Sequence, residues 1–353
     1  MEKTMKAALV EKFGKPLTIK ELPIPTRGPG QVLVQVISTG VCHTDLHAMD
    51  GDWPVKPTLP FIPGHEGAGV VVSLGQRVKH LKEGDRVGIA WLHSACGYCH
   101  FCLSGWETLC HAQQNSGYSA NGTFAEYALG QADYVGRIPD KLSFTDAAPI
   151  LCAGVTTYKG LKQTEARPGE WVVISGVGGR SYCNPIRQGH GVTRCGGRPW
   201  VGEASVGPNL GVEVTVDAAT EDPPRMIQER IRGAHGVLVT VVSPIAFREA
   251  VGILRRGGTC VLHGLPPGEF PISIFDVVLN GYTLRGSIVG IAGRSRRGVD
   301  IRSRRKSKIN NRNPAIWMRS TNVFTRLKQG KVTGRVVLEL GQKALKVEVE
   351  RKK

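Results

Sequence analysis

The sequence predicts an α/β fold in which a strand-rich domain is followed by a domain built on a doubly wound parallel sheet. In the first part, β-branched runs at 31–37 and 67–73 are separated by Gly and Pro, which is typical of short strands joined by ordered loops. In the second part, buried-strand patterns alternate with a helical pattern, as in β–α–β units. The strand patterns occupy 171–175, 236–242 and 258–265, and the helical pattern occupies 245–254.

Composition narrows the class of protein. The 353 residues are 41% hydrophobic, and this length suits two domains of roughly 100–200 residues each. Residues 1–30 lack the apolar stretch of a signal peptide, and no window reaches the roughly 18 apolar residues of a membrane span. We therefore expect a cytoplasmic protein without a membrane partner.

The formal net charge of +17 is unevenly distributed. Residues 180–198 carry four arginines and no acid, and residues 294–319 carry ten Lys or Arg and one Asp. These two segments supply 13 of the 17 charges, and neither has the interleaved aromatic residues of a nucleic-acid-binding module. The charge therefore does not predict a nucleic-acid partner.

Four cysteines are clustered at Cys96, Cys99, Cys102 and Cys110. Thiolates at this spacing can surround one zinc ion, and four protein ligands leave no open position, so the pattern predicts a structural zinc site. A disulfide framework is typical of small secreted chains, which this chain is not. An iron–sulfur cluster is the remaining alternative.

Three further places carry residues of the kinds that bind metals. They are Cys42, the pair His65 and Glu66, and Cys152. Taken singly, such a cysteine is more often a small buried hydrophobic residue than a ligand, and a His-Glu pair is usually on the surface. The combination of the three with the four-cysteine loop favours a metal site.

The segments 40–47, 64–67, 96–110 and 152–158 together resemble the zinc-containing medium-chain alcohol dehydrogenases. The resemblance implies a GroES-like catalytic domain and a Rossmann nucleotide-binding domain. It also implies a catalytic zinc on Cys42, His65 and Cys152, with the fourth position open to an alcohol that loses its proton more easily there. Glu66 is implied either to exchange onto this zinc or to stand beside it.

The same resemblance assigns the residues around the open position. Thr44 and His47 are implied to relay the substrate proton, because a histidine with a reference pKa near 6.5 suits general-base work. His43 is implied to meet the cofactor pyrophosphate, and Trp53 and Trp91 to form walls of the substrate pocket. A loop hydrogen-bonding network is the alternative for the first three, and ordinary core packing is the alternative for the tryptophans.

A dinucleotide fingerprint begins after the run at 171–175 and then fails. Glycines at this point let the backbone approach a pyrophosphate at a helix N-terminus. The expected third glycine is replaced by Ser181, and no ribose-binding acid follows about twenty residues on. The residues that begin the fingerprint are Gly176, Val177, Gly178 and Gly179.

Both basic segments can be explained by a change of reading frame. Codons exist for residues 180–198 that, read one base later, spell GHIAIQYAKAMGLRVVAVD, which restores the glycine, an amphipathic helix, a strand and the terminal acid of NAD enzymes. Residues 299–315 can likewise be read as LTFAAGGKVKSTIETRP. We infer that residues of about 180–209 and 294–320 are frameshift products, in the gene or in its sequencing. Disordered basic loops are the alternative.

The resemblance also implies cofactor contacts and domain limits beyond these segments. On the nicotinamide side it implies Gly264, Leu265, Ser287, Ile288 and Val289, and at the cofactor phosphate Arg335, although a lone arginine is more often on the surface. The expected parts are a catalytic domain at 1–152, an NAD-binding domain at 153–293, a return to the catalytic domain at 294–340 and a basic tail at 341–353.

The expected activity is oxidation of primary alcohols to aldehydes, and the reverse, by hydride transfer to NAD. The resemblance implies two zinc ions per subunit and a homotetramer or homodimer. NAD is expected in preference to NADP only through the acid in the shifted reading. Three alternatives remain: a related enzyme with another alcohol or aldehyde substrate, a zinc-binding remnant that cannot bind the cofactor, and a nucleic-acid binder.

Overall fold

The computed structural model describes residues 3–176, 200–202, 214–216, 218, 220–291, 314–316, 320–329, 332 and 335–340. Val177, Gly178 and Gly179, most of both basic segments and the tail at 341–353 lie outside these residues.

Seventeen strands occur in the described residues, in two large sheets and two ribbons. In chain order they are β1 (Thr4–Leu9), β2 (Thr18–Pro23), β3 (Gln31–Gly40), β4 (Gly67–Leu74), β5 (Arg86–Ile89), β6 (Leu92–Ser94), β7 (Gln114–Asn115), β8 (Tyr127–Gln131), β9 (Gly136–Arg137), β10 (Val172–Ser175), β11 (Trp200–Gly202), β12 (Val214–Thr215), β13 (Ala234–Val239), β14 (Leu254–Leu262), β15 (Thr283–Gly286), β16 (Pro314–Ile316) and β17 (Val337–Glu339).

Eight α-helices lie between these strands in the described residues, and short 3₁₀ turns occur at Glu107–Leu109 and Ala148–Leu151. The helices are α1 (His43–Asp50), α2 (His100–Leu103), α3 (Phe144–Ala147), α4 (Ala153–Gln163), α5 (Pro223–Ile231), α6 (Pro244–Ile253), α7 (Ile274–Asn280) and α8 (Ser320–Lys328). Within the described part of the chain, no helix has the length and apolar character needed to span a bilayer.

The first large sheet has the order β16-β17-β3-β4-β5-β9, and β8 also pairs with β3. Strand β3 is central because it pairs with β17, β4 and β8. Its alternate residues Val32, Val34 and Val36 are buried, which is the period of a strand with one face on the core. Strand β17 comes from the far end of the chain and runs antiparallel to β3, with Val337 opposite Gly40. This pairing brings the carboxyl-terminal part of the chain beside the segment that leads into α1.

The second large sheet has the order β12-β11-β10-β13-β14-β15 and is parallel throughout. This is the doubly wound order in which ligands bind beyond the carboxyl ends of the strands. The predicted fold class is therefore confirmed. One strand differs from the expected positions: β14 begins at Leu254, where the sequence pattern places the end of a helix, and α6 ends one residue earlier at Ile253.

Candidate functional site

Cys42, His65, Glu66 and Cys152 converge on one point between the two sheets. Cys42 is the N-cap residue of α1, His65 and Glu66 directly precede β4, and Cys152 directly precedes α4. One ligand atom from each residue can be chosen so that all lie within 4.8 Å of one another. The structure thus brings together the four residues that the sequence suggests for a catalytic metal, and it buries the His-Glu pair instead of exposing it.

Asp45 orients the histidine of this cluster. Its carboxylate accepts hydrogen bonds from the backbone N–H of Cys42, at 2.8 Å, and from Nδ1 of His65, at 2.9 Å. Nε2 of His65 is buried and has no hydrogen-bond partner in the described residues. A ligand histidine held by a carboxylate through its other ring nitrogen is the usual arrangement at zinc. The donor set and the unpartnered nitrogen therefore fit a zinc ion.

The two thiols of the cluster share a hydrogen bond that favours ionisation of one of them. The hydrogen bond from Cys152 lowers the pKa of Cys42 well below its usual value, with the charges of Arg335 and His65 acting in the same direction. The same hydrogen bond raises the pKa of Cys152. Because a bound cation deprotonates a coordinating thiol, both sulfurs are suitable thiolate ligands.

Glu66 forms a buried ion pair with Arg335. Nε of Arg335 lies 3.1 Å from Oε2 of Glu66, and Nη2 also donates to Oε1. Both side chains are almost fully buried, and burial raises the pKa of Glu66, an effect that the charge of Arg335 opposes. Gly40 is required here because a Cβ atom at this position would lie 1.8 Å from Oε2 of Glu66. Arg335 is therefore not a solvated surface residue.

The four-cysteine loop forms a second cluster, separate from the first. Sγ of Cys102 lies 3.8 Å from Sγ of Cys96 and 3.5 Å from Sγ of Cys99, and Cys110 completes the group. Four sulfurs at about 2.3 Å from a tetrahedral zinc lie about 3.8 Å apart, so the geometry fits a closed zinc site. The backbone N–H groups of Tyr98 and Cys99 lower the pKa of Cys96 to about 6, which favours a thiolate.

His47 is held between a carboxylate and an aromatic ring. Its Nδ1 lies 2.9 Å and 3.0 Å from the two carboxylate oxygens of Asp52, and its ring stacks on Trp53 with centroids 5.0 Å apart. If Nδ1 carries the proton that Asp52 accepts, Nε2 is left with a lone pair, and Nε2 is buried without a partner in the described residues. This tautomer makes Nε2 a proton acceptor.

A cleft of about 660 Å³ opens beside the first cluster. Its walls combine the metal-type ligands with residues that follow β14 and β15 at the carboxyl edge of the parallel sheet. The predicted residues that line it are Cys42, Thr44, Trp53, His65, Trp91, Cys152, Gly264, Leu265, Ser287, Ile288, Val289 and Arg335. His43, the first residue of α1, is half-buried.

Gly176 lines a different cavity, of about 250 Å³, next to the ends of β10 and β13. Its φ of +93° lies in the left-handed region, and a Cβ atom there would lie 2.8 Å from the backbone nitrogen of Val241. Glycine is thus required at this turn. Of the predicted cofactor residues that the structure describes, Gly176 lines this second cavity, His43 lines neither cavity, and the others line the cleft.

Several polar residues of the site were missed by the sequence analysis. Asp45 and Asp52 hold His65 and His47, and Thr156 lines the cleft with a buried hydroxyl that has no partner in the described residues. Asp45 stands three residues after Cys42, the spacing of a helix-capping acid, so this one had a local signal. Asp52 and Thr156 had none, because their partners and surroundings depend on the fold.

Two family models match this chain, one in its amino-terminal part and one further along. The family model of the alcohol dehydrogenase GroES-like domain matches residues 28–140, and the zinc-binding dehydrogenase model matches residues 204–300. An alcohol dehydrogenase of Moraxella sp. (strain TAE123) is 52% identical over 339 residues, which cover 95% of this chain and 99% of that protein. One from Geobacillus stearothermophilus is 50% identical over 95% of this chain and 100% of its own length.

A solved structure shows the same overall arrangement. The crystal structure of the alcohol dehydrogenase from the hyperthermophilic archaeon Aeropyrum pernix has a TM-score of 0.80 to this chain at 28% identity. The likeness covers 95% of this chain and 99% of that one.

The buried ion pair predicts a large effect of removing one partner. Arg335→Met leaves the carboxylate of Glu66 buried without its cation, and we expect the free energy of unfolding to fall by about 3–5 kcal/mol in urea denaturation. Adding Glu66→Gln to this variant should recover part of the loss. Lys328→Met is the matched control, because it removes an ion pair with Asp50 in which Lys328 is exposed, so the loss should stay below about 1 kcal/mol. Equal stability of Arg335→Met and wild type would contradict this account.

Proposed function

The chain belongs to the zinc-type medium-chain alcohol dehydrogenase family, and we propose that it oxidises primary alcohols to aldehydes, and reduces aldehydes, with NAD as the hydride carrier. One observation carries the proposal: the cluster of Cys42, His65 and Cys152 opens into the same cleft as the segment Ser287 to Val289. A metal-bound alcohol and a nicotinamide ring can therefore meet in one cavity.

Cys42, His65 and Cys152 would hold the catalytic zinc and Cys96, Cys99, Cys102 and Cys110 the structural one. When bound, the catalytic ion supplies a Lewis acid that lowers the pKa of an alcohol at its open position. Asp45 fixes the ring of His65, and Cys42 and His65 are buried, which limits the access of water to them. The chain thus orients its metal ligands before substrate arrives.

Thr44 and His47 would carry the proton away from the substrate. Thr44 lines the cleft two residues beyond Cys42, where its hydroxyl can accept the alcohol proton and pass one on. His47 would act as the terminal base, because Asp52 engages its Nδ1 and leaves Nε2 as the acceptor. The cofactor ribose is proposed to lie between the two residues.

The walls of the cleft support a small apolar substrate. Trp53 and Trp91 are packed edge to face at 6.5 Å, and Trp91 also lies edge-on to the ring of His65 at 5.3 Å. Two rigid indoles beside the metal ligands leave space for an unbranched carbon chain more readily than for two substituents on the reacting carbon. We therefore propose primary alcohols as the substrates.

NAD would lie with nicotinamide against Gly264, Leu265 and Ser287 to Val289 and with pyrophosphate near Gly176 and His43. Val177, Gly178 and Gly179, which are also predicted to contact the cofactor, lie outside the described residues. Arg335 would contact a cofactor phosphate in competition with Glu66, to which it is bound in this structure. Release of Glu66 in that competition would allow it to approach the zinc. We propose NAD and not NADP as the cofactor because the shifted reading of residues 180–198 ends in the acid that is typical of NAD enzymes.

Activity with the purified chain tests this function. We expect NADH formation from primary alcohols, slower turnover of secondary alcohols, and a lower kcat/KM with NADP than with NAD. His47→Gln should lower kcat by roughly 10²–10⁴-fold, as loss of a positioned base does.

The intact mass must be measured on the same sample. A chain whose mass matches the printed sequence and that does not bind NADH in a fluorescence titration would instead be a zinc-binding remnant, because the sequence printed at 180–209 does not predict the helix that would receive pyrophosphate.

Metal analysis tests the zinc assignment separately. The wild-type protein should contain about two zinc ions per chain, one for each cluster. Cys42→Ser and Cys99→Ser should each lose about one ion, and only the second should lower thermal stability strongly, because closed sites contribute to folding. Cys260→Ala is the control, since this buried thiol of β14 belongs to neither cluster, and it should keep the full zinc content. A wild-type content near one ion would refute the two-site assignment.

We further propose that the chain forms a homo-oligomer in the cytoplasm. Helix α7 exposes Ile274, Phe275, Val278 and Leu279, with exposed fractions of 81%, 71%, 69% and 59%, beside the edge strand β15. Such a face on a soluble protein favours a second copy as its cover. The seven cysteines of the described residues are all free, which suits a reducing compartment.

Light scattering after size-exclusion chromatography tests the oligomer. We expect a dimer or tetramer, and Phe275→Glu should shift the mass towards the monomer because it places a charge on the apolar face. Ile245→Glu is the control at a 59% exposed residue of another helix. A monomeric wild-type chain would rule out this interface.

A further inference from the structure

Lys159 joins three separate parts of the chain through its ammonium group. The side chain lies on α4, the helix that follows Cys152. Its Nζ donates to Oγ1 of Thr108 at 3.1 Å, to the carbonyl of Ile288 at 3.0 Å and to the carbonyl of Val289 at 3.2 Å. An ammonium group has three donors, so these contacts match its full capacity.

The first of these contacts leads to the four-cysteine loop. Thr108 is 1% exposed and lies in the 3₁₀ turn Glu107–Leu109, immediately before Cys110. The N–H of Cys110 donates to the carbonyl of Glu107 at 3.0 Å, and the side-chain amide of Gln113 donates to the carbonyl of Thr108 at 2.9 Å. The position of Thr108 is therefore fixed by the turn that carries the fourth cysteine of the loop.

The other two contacts lead to the wall of the cleft. Ser287, Ile288 and Val289 follow β15 and line the cleft, whereas Lys159 borders a different cavity, of about 340 Å³. Lys159 therefore holds the segment from outside the cleft. The next residue, Gly290, lies so close to α4 that a Cβ atom there would be 2.3 Å from the carbonyl oxygen of Val155. The segment and the helix are in direct contact.

Holding these carbonyls fixes the direction of the neighbouring N–H groups. In a planar trans peptide the carbonyl oxygen of Ile288 and the N–H of Val289 point in opposite directions. With the oxygen on Lys159, the N–H of Val289 is turned away from Lys159. The carboxamide of nicotinamide has an oxygen that can accept a hydrogen bond and an amide group that can donate one. In the cleft it can therefore recognise such a peptide unit.

We propose that Lys159 is a positioning residue that couples the four-cysteine loop to the wall that receives nicotinamide. The proposal rests on the proposed function for the identity of the ligand, but the coupling itself is a property of the chain. It assigns the closed metal loop a role in the cofactor site: metal in the loop fixes Thr108, Thr108 fixes Lys159, and Lys159 fixes the peptide units of Ile288 and Val289.

Hydrogen exchange measured by mass spectrometry on the zinc-loaded protein tests the coupling without cofactor. Lys159→Met should speed exchange of the amides in 286–291 by about 5-fold or more, as loss of about 1 kcal/mol of local stability implies. Lys159→Arg should restore part of the protection. Lys162→Met is the matched control one turn along α4, because Nζ of Lys162 lies over the ring of Tyr158 at 5.5 Å. It should leave exchange in 286–291 unchanged.

The link to the metal loop is tested in the same assay. Thr108→Val removes only the first contact and should speed exchange in 286–291 by a smaller factor than Lys159→Met. Cys99→Ser should also speed it, but it should add nothing in a chain that already carries Lys159→Met. If Lys159→Met does not fold, the comparison of Thr108→Val with wild type decides the proposal. The proposal would be overturned if the folded variants left exchange in 286–291 unchanged. It would also be overturned if Lys162→Met sped this exchange as much as Lys159→Met.

Cofactor binding provides a second readout that separates this proposal from the proposed function. Lys159→Met should raise the Kd for NADH and the KM for NAD about 10-fold and leave the KM for the alcohol unchanged, as loss of a charge-assisted hydrogen bond at one wall implies. Wild-type affinity for NADH in this variant would overturn the coupling to the cofactor wall. A wild-type chain that does not bind NADH would contradict the proposed function, and the exchange result would still decide the coupling.

Discussion

The carboxylate of Asp45 is the constraint on which the cluster of Cys42, His65, Glu66 and Cys152 depends. It accepts the N–H of Cys42, which begins α1, and the Nδ1–H of His65, which precedes β4. One buried acid therefore sets both the start of a helix and the tautomer of a histidine from a distant loop. Because it is 1% exposed, its two hydrogen bonds face little competition from water.

The rest of the site is assembled around charges that only the fold can neutralise. Arg335 reaches Glu66 because β17 pairs with β3, and the N–H of Val41 donates to the carbonyl of Val336 at 3.0 Å beside it. A buried carboxylate next to two thiols would be strongly unfavourable without this cation. A residue just before β17 therefore contributes to the electrostatics of a cluster whose other members, Cys42, His65, Glu66 and Cys152, all lie in the first half of the chain.

Features with a local sequence pattern could be predicted, whereas features that depend on tertiary contacts could not. The fold class followed from strand and helix periodicity, and the doubly wound order confirmed it. The four-cysteine site needed only spacing within one loop. Asp52 and Thr156 could not be found in this way, because a single acid or hydroxyl has no distinctive local pattern. The start of β14 was also placed too late, because Leu254 pairs with Ala234 of β13 before the register shifts, a contact that the local pattern does not reveal.

The sequence by itself determined the family, the metal-type residues that the family resemblance implies and the place where the dinucleotide fingerprint fails, because each depends on residue types within short segments of the chain. Only the tertiary structure decided that Arg335 is buried against Glu66, that Gly176 and Ser287 line different cavities, and that Lys159 connects the four-cysteine loop to the cleft. These relations join residues from separate strands and loops. They are set by sheet pairing and close packing, which no short stretch of sequence specifies.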